Sequence, residues 1–225
     1  MNRLRAAFAL AAAIALLVFG SAHAAASAPR HTESFVRPVS LTNPTSETSD
    51  LFERLGDAAE DGDVDAMNLL GVLFVTNARA PSDYSMALYW FQRAVDAGSV
   101  DGMDNLATMY LRGLGVAPDY VNAFRWFQRA AEGGNASAMF SVAAMAEHGL
   151  GAARDLALAR RMYRKAAESG LPLAMLWLSD NLARNGPDQN LVEAHAWLDV
   201  AALAQLDGQL HLVILARRED LGSRL

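Results

Sequence analysis

Four glycines stand 36 residues apart, Gly62, Gly98, Gly134 and Gly170, and the residues around them keep the same interval. Residues 89–98 read YWFQRAVDAG and residues 125–134 read RWFQRAAEGG. Asp83, Asp119 and Asp155 share the period, as do Ala87, Ala123 and Ala159, and the methionines Met67, Met103, Met139 and Met175. After one deletion near Pro187 the beat resumes, with Asn190 in the aspartate place, then Ala194, Trp197 and Ala201. A fixed period in this range belongs to stacked repeat arrays, because a single unit of this size cannot bury its own apolar faces and must cover its neighbour's.

Each copy holds two helical patterns. In the second half, Ala87, Trp90, Ala94 and Ala97 recur at helical spacing, as do Ala123, Trp126, Phe127, Ala130 and Ala131, which predicts one apolar face with Trp126 in the core. Asp83, Asp119 and Asp155 stand where an N-cap side chain accepts the first free backbone N–H groups. Gly98, Gly134 and Gly170 stand where the helix ends on a left-handed residue. In the first half, Met67, Leu70, Gly71 and Phe74 form an i, i+3, i+4, i+7 stripe, repeated as Met103, Leu106, Ala107 and Tyr110. Its third member is small in every copy (Gly71, Ala107, Ala143, Ser179), as a close helix crossing requires, and Gly113, Gly115, Gly149 and Gly151 mark bends between the halves. No alternating apolar run is long enough for a sheet. The expected fold is all-α, an αα-hairpin solenoid, a superhelical stack of about four repeats.

The pattern stands most completely in Gly98 to Ala130, with Leu106, Tyr110, Gly113, Gly115, Val116, Asp119, Ala123, Trp126 and Ala130 in place. It resembles the Sel-one-like repeat family, relatives of the tetratricopeptide repeats, over about Leu51 to Leu203. There are departures: Asn77 and Arg79 replace the two turn glycines of the first copy, Ala146 replaces the aromatic of the third, and Asn185 and Pro187 stand at the turn of the fourth. The resemblance implies a scaffold or adaptor that binds proteins. The secreted, cysteine-rich branch of that family does not fit, because this chain has no cysteine.

The ends of the chain read differently. Asn2 to Arg5 carries two arginines, Ala6 to Phe19 is unbroken apolar sequence, and Gly20 to Ala28 is mostly small residues, so residues 1–24 are expected to be a secretory signal peptide cleaved after Ala24, with Ala26 and Ala28 as alternative sites. The apolar run is short for a permanent span, and no stable membrane insertion is expected after cleavage, although a retained anchor is the competing reading. Residues 25–49, rich in Ser, Thr and Pro, are expected to be a disordered linker in which His31 is solvated. Residues 50–225 are the repeat domain, opening with a partial hairpin at about 50–61 and closing with a capping helix from about Gly208 to Leu221. This places the mature protein in the periplasm or outside the cell. Without cysteine there is neither an acylated lipoprotein anchor nor a disulfide, and packing alone holds the fold. The net charge of −6, with Lys165 the one lysine, argues against the phosphate-neutralising surface that nucleic-acid binding draws on.

Several clusters imitate catalytic or metal sites. Glu60 to Asp65 begins like a calcium loop, but Ala66 and Val72 occupy the places of the required glycine and glutamate, and acids at a helix start explain the cluster. Ser179-Asp180-Asn181 matches a fragment of penicillin-recognising enzymes, yet the accompanying lysine motifs are absent. His148, His195 and His211 have no second histidine at helical spacing, so neither metal nor cofactor is expected. No nucleophile and base stand in a convincing pair, and the chain is not read as an enzyme. The competing reading, a cell-envelope enzyme or accessory acting on peptidoglycan or a polysaccharide, rests on compartment alone. The methionine row shares its stripe with Leu70, Phe74, Leu106 and Tyr110 and is expected to be core. The partner surface, for a protein or extended peptide of the cell envelope held in the concave groove of the array, is expected on the neighbouring stripe of the first helices: Asn68, Asp104, Phe140 and Leu176 at one level, Thr108 and Asp180 at the next, and Arg112 and His148 near the turns. On this reading Phe140 and Leu176 form an exposed apolar contact.

Overall fold

The computed structural model of the chain describes residues 46–78, 80–185, 189–203 and 208–223. The expected signal peptide and most of the expected linker lie outside the described residues. The chain is all-α, built as an αα-hairpin solenoid: α1 Ser46–Glu60, α2 Val64–Thr76, α3 Pro81–Asp96, α4 Val100–Arg112, α5 Tyr120–Glu132, α6 Ala136–His148, α7 Leu156–Glu168, α8 Pro172–Asn185, α9 Gln189–Ala202 and α10 Gly208–Gly222, with no strand among the described residues. The first of the described helices begins at Ser46, inside the stretch expected to be linker.

Two compact units are present, one holding α1–α5 with residues 150–152, the other α6–α10. In the first, α2 pairs with α3 and α4 with α5, while α1 packs on α2 and α3 on α4. Its core is made of Leu70, Trp90, Phe91, Leu106, Met109 and Phe127, each at most 1% exposed. In the second, α6 pairs with α7 and α8 with α9, α7 packs on α8, and α10 covers α9. Phe140, Met145, Tyr163, Leu178, Leu198 and Ile214 fill that core. Met67, Met139 and Met175 are buried and Met103 is half-buried, so the methionine row is core.

Local chemistry sets the helix ends. The Asp119 carboxylate accepts the Asn122 N–H at 3.0 Å, and Asp155 accepts the N–H groups of Ala157 and Leu158 at 2.9 Å each. Asp83 departs from its expected place. Pro81 is pre-set for the first helical position, so α3 starts there with Ala80 before it, and Asp83, already inside the helix, accepts the Ala80 N–H at 3.0 Å. At the other ends, Gly98, Gly134 and Gly170 have φ of 88°, 94° and 87°. The N–H groups of Ser99, Asn135 and Leu171 then close on the carbonyls of Ala94, Ala130 and Ala166 at 2.8 to 3.1 Å, which turns the chain sharply into the next helix.

The small third position of the first helices does what its size suggests. A Cβ on Gly71 would lie 2.4 Å from the Phe91 ring, and Ala107, Ala143 and Ser179 are fully buried. Trp126 departs from expectation. The buried face of α5 is Ala123, Phe124, Phe127 and Ala130, which rotates Trp126 to its edge; half-buried there, it carries the Arg129 guanidinium 4.7 Å from its ring centre. The last helix buries Ile214 and Leu221 and leaves Arg217, Arg218, Glu219 and Asp220 in solvent, as a terminal cap requires.

Candidate functional site

The first helices carry the candidate surface, and the structure divides its residues sharply. In the first unit, α2 and α4 are bridged by the Asn105 amide, which donates to the Asn68 side-chain oxygen at 2.8 Å. Asn68 is half-buried as a result. Asp104 is 4% exposed, and Thr108 is fully buried with its hydroxyl turned back to the Asp104 carbonyl at 3.0 Å. Arg112, in the last turn of α4, is exposed. Of the four residues expected to face a partner here, Arg112 and part of Asn68 meet solvent.

The second unit corrects the expectation further. Phe140 is 1% exposed and Leu176 9%. Neither forms the exposed apolar contact expected of them, because the stripe beside the methionines is where first helices meet other helices. Residues 104–109 of α4 and 138–146 of α6 are buried without interruption, the behaviour of helices covered on several sides. Phe140 sits edge-on to Tyr163, with ring centres 5.4 Å apart, and edge-on to Trp177 at 6.3 Å. Tyr163 and Trp177 lie nearly parallel, 8° between planes and 6.1 Å between centres.

Trp177 is what the sequence reading missed. It lies on α8 next to Leu176 and is 40% exposed, although the two aromatic side chains behind it are almost fully buried. Its signal was available: it stands one residue beyond Leu176 and 36 beyond Ser141, a large aromatic where the same repeat position otherwise carries Leu69, Asn105 or Ser141. Behind it, the Tyr163 hydroxyl donates to the Glu147 carboxylate at 3.0 Å. Burial, then the negative charge of Glu147 and this hydrogen bond, push the phenol well above its ordinary range, so it stays protonated and the stack uncharged. Asp180, one turn on from Trp177, is half-buried and reaches Arg217 of α10 at 3.4 Å. His148 closes α6, half-buried.

The second unit thus offers an aromatic face flanked by a carboxylate, and the first offers an arginine at the end of α4 and an amide pair between α2 and α4. This is equipment for recognition by stacking, packing and hydrogen bonding. Among the described residues no three His, Asp or Glu side chains converge where a metal ion would sit, and no helix is long and apolar enough to cross a membrane.

The family model described as Sel1 repeat matches residues 64–99, 100–135, 136–171 and 172–206. Its boundaries fall just after the left-handed glycines. No match is found among curated proteins. Among solved structures, the chain is similar to a protective antigen present in uropathogenic Escherichia coli strains and displaying an SLR fold, with 28% identity and a TM-score of 0.62 over 78% of this chain. It is also similar to a Sel1 repeat protein from Oxalobacter formigenes, with 26% identity and a TM-score of 0.63 over 70% of this chain. The chain spans 41% and 63% of the lengths of those two proteins.

Proposed function

The chain belongs to the Sel1 repeat family, whose members generally mediate protein–protein interaction, and from that premise we propose that it is a non-catalytic periplasmic scaffold or adaptor that holds a protein or extended peptide of the cell envelope against its first helices. The observation that carries this reading is Trp177: a tryptophan 40% exposed on a first helix, backed by two buried rings that fix its orientation. A pre-oriented aromatic surrenders little side-chain entropy on contact, which is why such residues dominate interface energies. Arg112 is its counterpart in the first unit, exposed at the end of α4 and able to pair with a carboxylate.

A pull-down from envelope extract identifies the partner. Against it, Trp177→Ala should weaken binding by about ten-fold or more when measured well below the melting temperature, which itself falls because the indole also covers Tyr163 and Phe140. A partner bound equally well by the variant, or turnover of peptidoglycan or a polysaccharide by the purified chain, would replace the proposal. The periplasmic half of it rests on the charged start, apolar run and small-residue tract of residues 1–28. N-terminal sequencing of protein recovered from the envelope should begin near Ala25; full-length chain embedded in membrane would refute export with cleavage.

A further inference from the structure

The second helix of each repeat shows solvent one stripe at spacing i, i+4, i+8, i+11. On α3, α5 and α7 that stripe ends in a cation and, three residues later, an acid: Arg93 and Asp96, Arg129 and Glu132, Lys165 and Glu168. In the fourth repeat the corresponding residues are Val200 on α9 and Leu203 in the turn just past its end, and Val192 and Ala196 precede them, so the stripe holds no charge and no hydrogen-bonding side chain. It is nonetheless open to solvent. Val192 is 61% exposed, Val200 49% and Leu203 85%, and Ala196 is exposed as well. The replacement falls on consecutive members of one stripe, in one repeat, where three sister helices keep the soluble pattern. We propose that this face of α9 is the contact surface for a second copy of the chain, the two α9 helices lying antiparallel about a two-fold axis.

The chemistry of the stripe selects that occupant. An extended peptide laid along it would lose water from its backbone amides and find no partner for them, whereas a helix arrives with its backbone already bonded. An anionic lipid surface is disfavoured, because α9 carries Glu193 and Asp199 and neither lysine nor arginine. A two-fold axis near the middle of the stripe sets Val192 against Leu203 and Ala196 against Val200 of the other copy, with small Ala196 allowing close approach. The flanking acids are already matched within one copy, Glu193 by Arg164 at 2.8 Å and Asp199 by His195 and Arg218, so they bring little repulsion to the contact. Area sets the strength. The four side chains expose on the order of 350 Å² per copy, and with their flanks two copies would bury roughly 1,000 Å², the low end of specific interfaces, which fits a weak and reversible dimer rather than an obligate one.

The inference is independent of the partner proposed above, and its test needs no partner. In sedimentation equilibrium the full chain should move from one-chain toward two-chain mass across the micromolar to sub-millimolar range. Val200→Lys combined with Leu203→Glu, which restores the charge pair of the sister helices, should weaken association by about ten-fold or more with an unchanged melting temperature, because both positions are exposed. The apolar run at residues 6–19 is common to both proteins, so the difference belongs to α9. Since the chain has no cysteine, Ala196→Cys introduces the sole thiol, and a short bismaleimide should join two copies through it, whereas Ala157→Cys on the matching stripe of α7 should stay uncoupled. A chain that remains monomeric throughout that range, a charge-restored variant that associates as the parent does, or equal coupling at both thiols overturns the proposal.

Discussion

Tyr163 is where protonation bears most directly on stability. Its phenol is buried against Phe140 and Trp177 and bonded to Glu147, and all three causes of its raised pKa act in the same direction. The folded chain therefore keeps that proton at pH values where an unfolded tyrosine, ionising near 10.0, has lost it. The contribution is complete below pH 10 and is lost as pH rises beyond it, at up to about 1.4 kcal/mol per pH unit. Urea melts of the parent and of Tyr163→Phe from pH 8 to 12 should show the parent falling more steeply on the alkaline side, while at pH 8 the variant is weaker by about 1 kcal/mol for the lost hydrogen bond. Parallel alkaline limbs would show that Tyr163 does not control them. Phe140, whose ring lies against the same stack, belongs to packing alone. Phe140→Ala should cost about 3 to 5 kcal/mol in chemical denaturation, the usual loss for a fully buried aromatic, and a variant as stable as the parent would contradict its place in the core.

At the scale of the element, Gly71 governs how closely α2 and α3 approach. With the Phe91 ring 2.4 Å from where a Cβ would stand, Gly71→Ala gains helix propensity and still should destabilise by about 1 to 3 kcal/mol, because the ring has to move within a filled core. Circular dichroism melts decide the sign, and a stabilised variant would mean that the helices can separate without cost. Such positions were readable beforehand because packing of identical units forces the same solution on each copy: small residues at the crossing, left-handed glycines at the exit, aspartates at the entry. What was not readable was which side of a first helix reaches water. Asp104, Thr108, Phe140 and Leu176 vary from copy to copy as a recognition surface does, but they also vary because each fits a different neighbour. The nearly uncharged run Ala136–Ala146 was the overlooked sign, since a helix apolar all round is a covered helix. Trp126 and Asp83 were misplaced by a smaller error. A shared period fixes spacing, while helix start and rotation answer to local residues such as Pro81 and Phe127.

At the scale of the whole molecule, the side-chain bonds that join successive repeats span similar short distances along the chain: Glu60 to Arg93, Asn68 to Asn105, Asp101 to Asn135 and Asp180 to Arg217, at 2.8 to 3.4 Å. Each repeat needs little beyond its neighbour to be complete. That bears on time as well as stability. Proteins whose contacts are local in sequence search fewer chain closures, and stopped-flow refolding of this chain should finish in milliseconds or faster, without a slow phase dominated by distant pairing. A main refolding phase that takes seconds, distinct from the slow isomerisation of X-Pro bonds, would point to a long-range requirement the repeats do not suggest. For a chain threaded through a membrane from its N-terminus, as the proposed export route entails, the same locality means that α1 to α3 can close while the later helices are still on the far side, and that within each unit a hairpin finds its neighbour's surface already waiting as it emerges.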